Sequence, residues 1–184
     1  MSVVTPKFRA SFPTVFEPRV NDFNGQEEYS IVALFPKDAD LTKLKEAARQ
    51  AIAKKWGDDP AKHPKNLRTP FRDQAEMEKE GKLPDGCEDG AIFMRFKTKQ
   101  KPGVVDENVQ PLLDASQFYA GCYARASVNA YAYDTKGNKG VAFGLTNVQK
   151  MGDGDPLGSK KSPDQDFTAV EGATTSSDAT GLFD

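Results

Sequence analysis

Three segments of the chain alternate, residue by residue, between two kinds of side chain. From Ile92 to Lys101, Ile92, Met94, Phe96 and Thr98 share one parity, and Phe93, Arg95, Lys97, Lys99 and Lys101 share the other. From Cys122 to Tyr133, Cys122, Ala124, Ala126, Val128, Ala130 and Ala132 alternate with Tyr123, Arg125, Ser127, Asn129, Tyr131 and Tyr133. A shorter version runs from Lys7 to Phe12, with Lys7 and Arg9 opposite Phe8 and Phe12. Successive side chains of a strand point to opposite faces, so each segment predicts one buried face and one presented face. The presented faces combine cations with aromatic rings. Cations hold phosphates, and rings offer surfaces on which bases stack, the chemistry of single-stranded nucleic-acid binding. Two bland alternatives stand beside this reading. The cations are also what the wet side of an antiparallel sheet carries, and the tyrosines fit burial against a helix or against the segment 58–90.

The remaining pattern predicts the frame. Thr5 to Phe12 reads as a strand broken by Pro13 and Pro18. Asn24-Gly25 is a turn signal. Tyr29 to Phe35 is apolar on both parities, as in a central strand covered on both faces. Leu41, Leu44, Ala48, Ile52 and Trp56 recur at helical spacing. They predict a helix over about 40–56, capped by Asp38 or Asp40 and ended by Gly57. Its Lys43, Lys45, Glu46, Arg49 and Lys54 read as an ordinary solvated face, with a phosphate-binding flank as the alternative, and Trp56 reads as core rather than a base-stacking platform. Residues 58–90 lack periodicity and are rich in Pro, Gly and charge. Such a long irregular segment is often functional. Arg68, Phe71 and Arg72 place cation–ring chemistry there, although Phe71 also suits pinning the loop to the core. A short helix is predicted at Asp73 to Glu80. Val104-Val105 resumes as strand, and Pro111 to Tyr119 is a connection with a helical turn. Asp134 to Gly140 suits a hairpin loop leading to a strand from Val141 to Lys150, with Gly144 marking a bulge or sharp bend.

Composition sharpens the picture through its distribution. The chain has 184 residues, enough for one domain with extras, and a formal net charge of −2. Residues 153–184 hold seven acids (Asp153, Asp155, Asp164, Asp166, Glu171, Asp178, Asp184) against Lys160 and Lys161. The body therefore carries the basic excess, and the acidic overall pI of about 5.6 does not argue against a nucleic-acid partner. The segment 153–184 is nearly devoid of apolar residues until Leu182-Phe183-Asp184, and reads as a disordered tether ending in a motif for partner proteins. Cys87 and Cys122 lack metal-ligand spacing and read as two reduced thiols, with a single disulfide between them as the alternative. Met1-Ser2-Val3-Val4 is followed by no long apolar run, and no stretch approaches the ~18–20 residues of a membrane span, so a cytoplasmic protein without a membrane partner is expected.

Enzymatic readings find little support. The single histidine, His63, lies beside Pro64 without an evident acid or nucleophile. No glycine-rich loop joins a strand to a helix. Asp85, Glu88, Asp89, Asp106 and Glu107 could cluster around magnesium, and Glu80-Gly81-Lys82 has a carboxylate–x–lysine spacing, which keeps a nuclease as a remote alternative. A protein-assembly module using the tyrosine face and the tail is the nearer alternative. No catalytic residue, metal or cofactor is predicted.

A series of short motifs adds a family resemblance. Thr5-Pro6-Lys7, Phe12-Pro13, Leu34-Phe35-Pro36-Lys37, Lys54-Lys55-Trp56-Gly57 and Thr69-Pro70-Phe71-Arg72-Asp73 stand in order. Lys101-Pro102-Gly103-Val104-Val105-Asp106, Tyr119-Ala120-Gly121-Cys122-Tyr123-Ala124-Arg125 and Asn147-Val148-Gln149-Lys150 follow. Together, over about residues 5–158, they resemble the tailed-phage single-stranded-DNA-binding proteins once grouped as a phage domain of unknown function. The resemblance implies an OB-type barrel with an inserted helix and loop. It implies sequence-independent binding of single strands in phage DNA replication, recombination or repair, in the cytoplasm of the infected host. It also implies an acidic tail that recruits replication or recombination proteins, although here the acids are dilute and Asp184 follows Phe183.

The combined expectation is a mainly β chain with an inserted helix. Residues 1–152 form an OB-like five-stranded antiparallel barrel, and 153–184 a disordered acidic tail. The groove is lined by strands 92–101 and 122–133. Arg95, Lys97, Lys99, Lys101 and Arg125 contact phosphates, Phe93, Tyr123, Tyr131 and Tyr133 stack on bases, and Asn129 bonds a base or phosphate. Lys7 and Arg9 join them if the first strand lies alongside. Single-stranded DNA is the expected partner, with weaker binding of RNA or duplex DNA and a homo-oligomer left open.

Overall fold

The computed structural model describes residues 2–81, 83, 88, 90–157 and 167–170. Its main strands are β2 (Phe8–Val20), β3 (Glu27–Phe35), β5 (Ile92–Thr98), β7 (Tyr123–Thr135) and β8 (Asn138–Gly152). Short strands β1 (Ser2–Val4), β4 (Arg72–Asp73) and β6 (Gly103–Val105) add to β7, β5 and β8. The two helices are α1 (Thr42–Trp56) and α2 (Gln74–Lys79). Pairing runs β7–β2–β3–β5–β8 and returns from β8 to β7. The five main strands therefore close an OB-like barrel, which leaves none of them as a free edge. Four of these pairings are antiparallel; β5 and β8 meet in parallel, a departure from the all-antiparallel expectation.

The inward parity of each strand fills the barrel. Phe8, Phe35, Phe96 and Phe143 are fully buried and meet edge to face, with ring centroids 5.5 Å apart for Phe8–Phe35 and 6.2 Å for Phe8–Phe96 and Phe96–Phe143. Edge-on contacts of this kind suit the ring quadrupoles. Helix α1 presses Leu44 and Ala48 onto the core and packs mainly against β7. Leu41, just ahead of the helix, is also buried in this core. Asp40 accepts the Thr42 amide at 3.0 Å, and Gly57 leaves the helix at φ 91°, a conformation that favours glycine. Trp56 is half-buried, with the Lys55 ammonium 5.8 Å from its ring centroid.

Several expectations change. Pro13 and Pro18 do not end the first strand. β2 runs through both, and the pairing with β3 shifts register between Ser11 and Thr14 and again before Arg19. Bulges of this kind accommodate residues that cannot serve the ladder. The predicted seven-residue hairpin loop shrinks to Lys136-Gly137. Asp134 and Lys139 pair across the ladder and form a 3.4 Å ion pair, and both loop residues take positive φ, as a two-residue hairpin turn requires. Gly144 is not the bulge. The β7–β8 register shifts between Ser127 and Val128, whereas Gly144 stays paired to Asn129 on β7 and to Lys97 on β5.

The boundary at 152 also moves. Asp153 holds Lys150 at 2.7 Å and accepts from the Tyr119 hydroxyl at 3.0 Å, and the Leu157 amide donates to Ala120 O at 2.8 Å. Residues 153–157 thus pack on the body despite their polar composition. The predicted disorder of the rest of the tail falls largely outside the described residues, and Phe167 and Val170 are exposed. Cys122 is a buried free thiol, and Cys87 lies outside the described residues. Among the described residues no helix is long and apolar enough to cross a membrane.

Candidate nucleic-acid interface

The two predicted strands, β5 and β7, do not pair with each other. β8 lies between them and brings their outward side chains together. Lys97 pairs with Gly144, which pairs with Asn129; next along β8, Ala142 pairs with Tyr131. The outward floor between β5 and β7 is therefore Ala142 and Gly144, the smallest side chains available. Over it, Asn129 reaches so far that a Cβ on Gly144 would stand 3.0 Å from its Oδ1. Tyr133 lies over Gly140, where a Cβ would meet its hydroxyl at 2.8 Å and the Arg68 carbonyl at 2.6 Å. Tyr133 thus packs beneath the 58–71 loop, as the bland reading allowed. Tyr131 remains 46% exposed.

Arg95 and Lys97 face a cleft of about 310 Å³ against the β2–β3 hairpin, which contributes Arg19, Phe23, Glu28 and Ser30. Glu28 sits 3.6 Å from the Lys97 ammonium and accepts from the Asn21 amide at 3.0 Å. Partial burial pushes its carboxyl up, but the Asn21 hydrogen bond and the Lys97 charge outweigh it and hold Glu28 below the usual glutamate range. The Tyr131 phenol is raised by burial, by the Glu28 charge and by Tyr133. Glu28 therefore acts on both Lys97 and Tyr131, and ties the cleft to the tyrosine.

A second group forms at the other end of β7. Lys7 stands 5.3 Å from the Tyr123 ring centroid, a cation–π contact. Arg9 pairs across from Tyr123, as the sequence reading required of the first strand. Its guanidinium donates to Gly121 O at 3.2 Å and to Asp155 O. The backbones of Gly121 and Asp155 approach so closely there that a Cβ on Gly121 would stand 2.1 Å from Asp155 O. Arg125 donates to Gln149 at 2.8 Å, which in turn donates to the carbonyls of Asp106 and Glu107 at 3.2 Å. Arg9 and Arg125 thus serve the protein's own backbone and side chains in this state.

Between the two groups lies the largest correction. Phe93 shares the outward parity with Arg95 but is 2% exposed. Val32, Leu34, Ala91 and Phe93 form a second apolar cluster covered by Met77, Leu83 and Leu157. Phe93 is core and offers no stacking surface. Lys99 and Lys101 lie beyond the end of β5 at Thr98 and are exposed in the turn. Phe71 meets Phe143 at 6.2 Å and pins its loop, and Arg72 pairs with Glu76 and Glu80. Leu182, Phe183 and Asp184 lie outside the described residues.

Two residues are absent from the sequence expectations: Arg19 lines the cleft, and Phe23 at the hairpin tip is fully exposed. Phe12, expected on the same parity as the buried Phe8, is instead 58% exposed at φ 44°. The Asn24-Gly25 signal already announced the hairpin, and a phenylalanine beside it with no helical or strand periodicity was the available clue. Of the residues named for the nuclease alternative, Lys82, Asp85 and Asp89 lie outside the described residues. Among the described residues no three His, Cys, Asp or Glu side chains gather around a metal position, and the Asp106 carboxylate accepts the amides of its own turn, Asn108 and Gln110.

Comparison with known proteins adds four findings. A family model described as Enterobacter phage Enc34, ssDNA-binding protein, matches residues 1–179. Protein p50 of Acyrthosiphon pisum secondary endosymbiont phage 1 is 30% identical over 164 residues, 84% of this chain and 85% of that protein. The single-stranded DNA-binding protein of bacteriophage Enc34, solved in complex with ssDNA, superposes with a TM-score of 0.68 at 20% identity over 85% of this chain and 89% of that one. Gp2.5, a single-stranded DNA binding protein encoded by bacteriophage T7, superposes with a TM-score of 0.57 at 17% identity over 82% and 91% of the two chains.

Proposed function

The chain belongs to the family of the Enterobacter phage Enc34 ssDNA-binding protein, and on that premise we propose that it binds single-stranded DNA without sequence preference. It does so without catalysis, in phage DNA replication, recombination or repair. The observation that carries the reading is the open strip in which Arg95 and Lys97 face Asn129 and Tyr131 across Ala142 and Gly144. Small floor residues let a strand approach the backbone, the cations take phosphates, and the exposed tyrosine takes a base. Phe23 offers a second ring at the far side of the cleft. Stacking is indifferent to base identity because every base has a flat face. The Lys7–Tyr123 group extends the same chemistry around the barrel, and the tail with Leu182, Phe183 and Asp184 recruits replication or recombination proteins.

The test is fluorescence anisotropy on labelled single-stranded and duplex oligonucleotides of equal length at low and moderate salt. Binding that favours the single strand and weakens with salt supports the reading. Silence by the full chain and also by a chain shortened after Leu157 removes it and promotes the protein-assembly alternative.

A further inference from the structure

Helix α1 ends beside the tyrosine of the proposed strip. A cleft of about 340 Å³ opens there between the last turns of α1 and the far half of β7, lined by Ala51, Lys54 and Lys55 on one side and Ala130, Tyr131 and Ala132 on the other. Tyr131 thus borders this cleft and, across Ala142 and Gly144, the side of the barrel that carries Arg95 and Lys97. The two ends of the strip differ in charge. Lys97 is partly neutralised by Glu28 at 3.6 Å. Lys54 and Lys55 are exposed and make no ion pair among the described residues. The Lys55 ammonium stands 5.8 Å from the Trp56 ring centroid.

Lysines in a last helical turn are ordinarily explained by the negative end of the helix dipole. That explanation accounts for their charge but asks nothing of what stands opposite them. Here the small residues Ala130 and Ala132 stand opposite, on the strand that carries Tyr131 on its other face, so the backbone stays as open to a ligand as it is over Ala142 and Gly144. Resting on the proposed function, we infer that a single strand leaving the Arg95–Lys97 strip continues past Tyr131 over the end of α1, with Lys54 and Lys55 each holding a phosphate. The solvated face of the helix is thus divided. Its C-terminal lysines belong to the DNA path, and Lys43 and Lys45 at its other end do not.

The test uses the full chain and labelled oligothymidylates from about 4 to 16 nucleotides, the range of site sizes one OB fold covers. The parent is compared with Lys54→Gln/Lys55→Gln and with Lys43→Gln/Lys45→Gln, which removes the same charge elsewhere on α1. On the longest strands the first variant should lose about 1.4 from the log–log salt slope, two phosphates at about 0.7 each. It should match the parent on the shortest strands, which the barrel strip alone accommodates, and the second variant should match the parent throughout. Equal losses in both variants, or equal losses at all lengths, would show a general field effect and overturn the inference. Parental slopes in the first variant at every length would overturn it too, while leaving the barrel strip intact. Failure of the parent itself to bind any strand would take down the strip and the helix together.

Discussion

Two stretches of one outward sheet face meet opposite fates. Around Phe93 the face is covered: Val32, Leu34 and Phe93 lie under Met77, Leu83 and Leu157 as a second small core. Two residues further along β5, the same parity carries Arg95 and then Lys97, open toward the hairpin cleft, with Tyr131 across β8. Neighbouring positions of one strand thus serve stability in one place and, in the proposed function, recognition in the other. Alternation tells which residues share a face. Whether that face is wet depends on segments distant in sequence, here α2, Leu83 and the stretch that ends at Leu157.

The comparison breaks most visibly at Phe93. Phe93→Ala should cost about 3–5 kcal/mol of stability, as expected for removing a buried ring. Urea unfolding measures this, and a loss under 1 kcal/mol would mean that the cover over the second cluster is not a core. Tyr131→Ala should reverse the pattern. Its stability should change by about 0.5 kcal/mol or less, while single-strand affinity drops by about 1–3 kcal/mol, the contribution of a stacked base. A variant that folds and binds like the parent would move the strip elsewhere.

Charge changes sharpen the contrast further. Removing both cations in Arg95→Ala/Lys97→Ala should lower the salt slope by about 1.4, with Lys97 contributing less wherever Glu28 opposes it. An unchanged slope would assign these cations to the solvent. The smallest expected effect runs the other way: Glu28→Gln should release Lys97, tighten binding and raise the slope by at most about 0.7. The same group sets a pH dependence. Glu28 titrates below the usual glutamate range, so its contribution to stability is complete above that range and is lost as pH falls through its lower native value. Over that same descent Lys97 becomes free for phosphate, so binding relative to Glu28→Gln should strengthen. A parent and variant with parallel pH profiles would disconnect Glu28 from the site.

Much of the fold is legible in the sequence. The alternation of 92–98 and 122–133, the doubly apolar 29–35 and the stripe of Leu41, Leu44, Ala48 and Ile52 each report a local periodicity, and local periodicity is written residue by residue. The same holds for the cation and ring chemistry of Arg95, Lys97 and Tyr131, and for the motif series that marked the family. The misreadings have a common origin. Pro13 and Pro18 looked like strand breakers because a bulge is visible only against a partner strand. Residues 153–157 looked like tether because their polar side chains say nothing of the backbone bonds they make to Ala120 and Arg9.

The sequence by itself determined which side chains alternate, where the helix lies, and that cations and rings share one parity, since all of these follow from spacing along the chain. Tertiary structure alone decided that β8, with Ala142 and Gly144, forms the floor between β5 and β7, that Phe93 is covered, and that Glu28 faces Lys97. Those facts depend on barrel closure and on contacts between residues tens of positions apart, and no periodicity within a single segment encodes them.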